Sequence, residues 1–147
     1  MAHVKKYPEL EILGFEKRKE LSLPLYLARV EAGFPSPADD FIDKSLDLNE
    51  YLVENPQATF FVRVSGDSMR DAFIRSGDVL IVDRAREPMH NKVVIAALNG
   101  ELTVKRIRRQ GGRLFLVPEN PEFKAMEVTQ EMDFEVWGVV TYVIHKV

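Results

Sequence analysis

The chain has 147 residues, of which 46% are hydrophobic and 29% charged, and its formal net charge is −3. That balance suits one soluble domain with an arm or tail, and a mildly acidic chain is not built mainly to coat nucleic acid. Cysteine is absent, which removes disulfides, thiolate zinc sites and a cysteine nucleophile; no apolar run nears the roughly 18 residues of a membrane span, and the N-terminus lacks the apolar core of a secretion signal, so a cytoplasmic protein is expected.

Residues 1–22 carry scattered charge, including Lys5-Lys6 and Lys17-Arg18-Lys19, and read as a mobile arm. Leu23 to Gly33 is more apolar and extended. Gly33-Phe34-Pro35-Ser36-Pro37 must interrupt any regular element, because each proline restricts itself and the residue before it. Taken by itself, Ala32-Gly33 is then a plain segment end.

Two short helical segments are expected next. Pro37 or Ala38 opens the first, with Phe41 and Ile42 as its apolar positions; Asp47 caps the second, Leu48 to Glu54, which Asn55-Pro56 ends. Asp39, Asp40 and Asp43 lack the glycine and terminal glutamate of a calcium loop and read as helix N-terminal charge, so no metal site is assigned.

From Gln57 onward the pattern is β. Phe60 to Val64 is rich in aromatic and β-branched residues, and Val79-Leu80-Ile81-Val82 is a buried-strand run. Asn99-Gly100 is a strong hairpin signal, and Gly111-Gly112 offers a second tight turn. Three strands follow as a meander: Lys92 to Leu98, Glu101 to Gln110, and Arg113 to Val117. Two-residue loops pair Leu98 with Glu101 and Gln110 with Arg113, which sets Val94 opposite Lys105 and Leu116 opposite Ile107. Phe134 to Ile144 is a long strand, bent or bulged at Gly138.

Two residues carry candidate chemistry. Ser68, in Ser65-Gly66-Asp67-Ser68-Met69, reads either as the cap of a helix over Met69 to Ile74, with Asp71 three residues on, or as a nucleophile needing a neighbouring base. Lys105 shares its strand face with Thr103, Ile107, Val94, Ala96 and Leu116. Among such neighbours an amine loses hydration and its pKa falls, which a lysine base requires; the competing reading is a lysine whose ammonium reaches solvent at the sheet rim. His3, His90 and His145 sit in no catalytic or metal motif, and no phosphate-binding glycine loop is present. A serine enzyme of this composition would have to use lysine as its base.

Ser65-Gly66-Asp67-Ser68-Met69, then Ser76-Gly77-Asp78-Val79-Leu80-Ile81-Val82-Asp83, then Leu102-Thr103-Val104-Lys105-Arg106 together resemble the LexA/UmuD family of self-cleaving serine peptidases. Ala32-Gly33-Phe34-Pro35-Ser36-Pro37 and Leu46-Asp47-Leu48-Asn49 resemble the UmuD branch of that family. The likeness runs from about Leu25 to the C-terminus. It implies a mainly β fold, a compact curved peptidase domain of antiparallel strands with one or two short helices, over residues 33–147, preceded by a flexible arm over 1–32 that self-cleavage removes. It implies Ser68 as nucleophile, Lys105 as its base, Ala32-Gly33 as the bond cut, and no cofactor. Backbone N–H groups near Ser68 and Met69 would hold the oxyanion.

The implied partners are a second copy in a homodimer, the RecA filament on single-stranded DNA as co-protease, and a UmuC-type translesion polymerase. No membrane and no sequence-specific DNA contact is implied. Two departures stand out: Ala32 where cysteine is common in the UmuD branch, and Arg70-Asp71-Ala72-Phe73-Ile74 where glycines are frequent. Other readings are a non-catalytic dimeric module regulating a polymerase, and a LexA-like repressor; against the second, only 32 residues precede Gly33.

Overall fold

A computed structural model describes residues 4–6, 10–14, 22–26 and 42–147. Among them the structure is mainly antiparallel β, in two units described separately: 17–54, and 1–16 together with 55–147.

In the smaller unit, β3 (Ser22–Tyr26) pairs antiparallel with β4 (Ile42–Asp47), and α1 (Leu48–Leu52) follows. Asp47 caps that helix: its side-chain Oδ1 accepts from the Asn49 N–H at 2.9 Å, as the sequence suggests. The expected preceding helix is corrected in part. Ile42 and Asp43 lie in β4, where Ile42 faces Tyr26 across the ladder, so Asp43 is a strand residue and not helix N-terminal charge. Local signals favoured a helix there, but a partner strand some twenty residues earlier takes up the backbone bonds. Pro37, Ala38, Asp39, Asp40 and Phe41 lie outside the described residues, as do Ala32 and Gly33.

The larger unit is a sheet whose described strands run in the order β1 (Val4–Lys6), β2 (Leu10–Gly14), β5 (Thr59–Val64), β6 (Val79–Asp83), β11 (Phe134–Ile144), β7 (Val93–Leu98), β8 (Glu101–Gln110), β9 (Arg113–Val117) and β10 (Met126–Val128). The meander has the register expected from its turns: Leu98 faces Glu101, Val94 faces Lys105, Ile107 faces Leu116 and Gln110 faces Arg113. The turns impose it, since Asn99, Gly100, Gly111 and Gly112 all have positive φ, between 49° and 85°. Strand alternation then buries two separate apolar sets. One contains Val62, Val64, Met69, Leu80, Ile95 and Val104; the other contains Val94, Ala96, Ile107, Leu116 and Val139. Gly138 coincides with a register shift of β11 against β7, and a Cβ there would lie 2.7 Å from Val82 Cγ1 and 3.1 Å from the Asp83 carbonyl oxygen.

Two expectations differ from the structure, and one strand was not anticipated. Part of the segment read as a mobile arm is strand: β2 pairs with β5, and Leu10 is only 1% exposed. Leu10-Glu11-Ile12 has the alternation of a strand and finds the otherwise open edge of β5. The helix over Met69 to Ile74 is a single 3-10 turn, Arg70–Ala72, closed by Phe73 in the left-handed region at φ 63°. β10 had no sequence signal; its three residues pair with Leu114, Phe115 and Leu116.

Candidate active site

β5 delivers the chain to the Ser65–Met69 loop, where Gly66 (φ 94°) supplies a turn that other residues rarely adopt. Met69, 1% exposed, plugs the apolar set below and fixes the depth of its neighbour, so Ser68 sits 7% exposed. The loop is held from the far side by the segment after β9. The buried Asn120 side chain donates to the Asp67 carbonyl at 2.8 Å, and the Glu119 N–H donates to the Ser68 carbonyl at 2.9 Å. The Asp71 N–H donates to the Glu119 carbonyl at 2.7 Å, which diverts that N–H from continuing a helix.

Lys105 comes from the middle of β8 and is half-buried. Its Nζ donates to Ser68 Oγ at 3.1 Å, to Thr103 Oγ1 at 2.7 Å and to the Val104 carbonyl at 3.1 Å. Ser68 is therefore not the side-chain cap of the turn that follows; Met69 stands at that position, and the Ser68 hydroxyl turns to the lysine. The next residue of β8 braces the same loop from the other face of the sheet: Arg106 Nε meets Glu119 Oε1 at 2.5 Å. One strand thus carries the amine and, through Glu119, steadies the hydroxyl.

Among the described residues, the backbone N–H groups of Ser68 and Met69 have no hydrogen-bond partner. Donors in that condition beside a nucleophile are what an oxyanion requires. The neighbouring cleft, about 200 Å³, is lined by Leu98, Leu102, Leu116 and Met126 together with Glu101, Thr103, Lys105 and Lys124. The two described histidines are engaged elsewhere: His90 Nδ1 accepts from the Arg109 N–H at 2.9 Å, and His145 Nδ1 lies 2.6 Å from Asp78 Oδ1.

The structure brings Ser68 and Lys105 together across 37 residues of sequence. Sequence reasoning placed Thr103 on the lysine's face without giving it a part, although its i, i+2 spacing in a strand was the available signal. Asn120 was missed altogether; an asparagine before Pro121 carries no mark of reaching back to Asp67.

The chain matches the family model of the Peptidase S24-like proteins over residues 24–141. It is 47% identical to protein ImpA of Salmonella typhimurium over 124 residues, 84% of this chain and 83% of that protein. It is 46% identical to protein SamA of Salmonella typhimurium strain LT2 over 123 residues, 84% of this chain and 85% of that protein. It is also 39% identical to the LexA repressor of Pseudomonas chlororaphis over 139 residues, 93% of this chain and 68% of the repressor.

Proposed function

This chain belongs to the S24-like peptidases, in the UmuD-like group of LexA/UmuD serine peptidases, and we propose that it cuts its own Ala32–Gly33 bond with Ser68 and Lys105. The observation that carries this reading is the 3.1 Å contact between a nearly buried hydroxyl and a half-buried amine. A neutral amine has two N–H bonds and one lone pair. With the N–H bonds on Thr103 Oγ1 and the Val104 carbonyl, the lone pair faces Ser68, whose hydroxyl then donates to it across the same distance.

The reaction follows from that arrangement. Lys105 takes the Ser68 proton as Oγ attacks the Ala32 carbonyl carbon. The oxyanion is held by the N–H groups of Ser68 and Met69. Lys105 then protonates the departing Gly33 nitrogen, leaving residues 1–32 as an ester on Ser68. Water, deprotonated by Lys105, hydrolyses that ester to an Ala32 carboxylate and restores the hydroxyl. Gly33 brings no side chain to the approach, and the small Ala32 suits a shallow subsite. Because the substrate is tethered, its effective concentration is high and a slow catalyst suffices.

The same reading makes the chain a DNA-damage-response peptidase of the SOS type. We infer that it works in the cytoplasm as a homodimer, is stimulated by the RecA filament on single-stranded DNA, and yields a form beginning at Gly33 that acts with a UmuC-type translesion polymerase. Among the described residues no helix is long and apolar enough to cross a membrane. The test is incubation with RecA, nucleotide and single-stranded DNA, read by intact mass. Wild-type chain should give pieces 1–32 and 33–147, and Ser68→Ala or Lys105→Ala should stay whole while folded. A wild-type chain that survives uncut overturns the reading.

A further inference from the structure

The segment that self-cleavage would detach is, in part, structural. β2 forms five residue pairs with β5, from Leu10 opposite Val64 to Gly14 opposite Phe60. The N–H and carbonyl of Val64 bond to Asp78 and Gly77 on the β6 side. By strand alternation the main-chain groups of Phe61 and Arg63 face β2. Leu10 is 1% exposed and belongs to the same apolar set as Val62, Val64 and Met69; Ile12 packs against that set, and Glu11 lies 3.7 Å from the Arg63 guanidinium. β1 pairs along the other edge of β2, so both strands would leave together. β1 and β2 lie before residue 24, outside the span that matches the family model, whereas the β5 edge they cover lies within it.

We propose that the edge of β5 is a strand-binding site, that its occupant is the chain's own Leu10–Gly14, and that this occupant remains bound without a covalent link once the chain is cut after it. The biological cut is the one proposed above at Ala32–Gly33, so the inference rests on that reading for its occasion. Cutting and release are then separate steps. Cutting converts a tethered strand into a ligand that dilution or a competing strand can displace. The ligand class is an extended peptide with apolar side chains at alternate positions and an acidic residue between them, added to the sheet through main-chain bonds. Specificity resides in Leu10, whose side chain enters the core, and secondarily in Ile12.

The test makes the cut independently of Ser68. A recognition sequence for a site-specific protease is inserted between Gly14 and Ser22 in the Ser68→Ala chain, which is cut with that protease and examined by native mass spectrometry and amide exchange. The expected result is that the fragment stays with the body at micromolar concentration, and that the Phe61 and Arg63 amides remain protected as in the uncut chain. A synthetic peptide of residues 1–16 should displace the retained fragment, and the same peptide with Leu10→Asp should compete on the order of a hundredfold less well. That comparison does not require any variant chain to fold. Loss of the fragment on cutting, or equal competition by the two peptides, overturns the proposal. Failure of self-cleavage at Ala32–Gly33 would instead overturn the function proposed above and leave these results unchanged.

Discussion

Thr103→Val separates a lysine poised to accept a proton from one that merely fills space. Thr103 Oγ1 lies 2.7 Å from Lys105 Nζ and, in the proposed mechanism, is one of the acceptors that would turn the neutral amine's lone pair toward Ser68. Valine keeps the β-branched shape in β8 and deletes that acceptor. A net hydrogen bond contributes about 0.5–1.5 kcal/mol, and about 1.4 kcal/mol is tenfold in rate, so self-cleavage on the alkaline plateau should fall about two- to tenfold. A second effect has a definite sign. An accepting hydroxyl stabilises an ammonium more than a neutral amine, so its loss should move the midpoint of the pH–rate profile to lower pH. The assay is a time course of intact and cut chain, by mass, across the neutral to alkaline range. A purely structural defect would lower the rate and leave the midpoint in place. An unchanged plateau with an unchanged midpoint, or a midpoint moved to higher pH, would refute the assignment.

Other substitutions probe the supports. Asn120→Ala removes the donor to Asp67 and leaves that carbonyl wanting a partner, so it should cost roughly 1–3 kcal/mol in thermal unfolding and slow self-cleavage in the surviving folded fraction. Arg106→Met breaks the pair with Glu119, itself about one-quarter exposed; a stability loss of roughly 1–2 kcal/mol with slower cutting is expected, and an unaltered cleavage rate would detach Glu119 from the site. Gly138→Ala places a methyl 2.7 Å from Val82 Cγ1 and should lower stability by roughly 1–3 kcal/mol in denaturant unfolding without entering the site.

Legibility in the sequence followed the range of the interaction. Asn99-Gly100 and Gly111-Gly112 demand positive φ, so local chemistry alone sets the register of β7, β8 and β9 and the face on which Lys105 lies. Asp47 was readable because a cap acts two residues away. Pairings between distant segments left no such mark. β2 reaches β5 across nearly fifty residues, and its charged flanks hid a Leu-x-Ile alternation only three residues long. β4 was mistaken at Ile42 for the same reason, since its partner β3 lies on the far side of the proline-rich stretch. In the site, the motifs around Ser68 and Lys105 pointed to the two groups the structure brings within 3.1 Å, whereas Asn120 meets Asp67 over 53 residues. Such a tether is legible only once the sheet is built.

The most direct measurement is the rate of self-cleavage against pH for the purified full chain, followed by intact mass. The account predicts one break, between Ala32 and Gly33, that accelerates as pH rises until the amine is neutral and then levels off, and that vanishes in Lys105→Ala. A flat profile, or a Lys105→Ala chain cut at the same bond and the same rate, would contradict it.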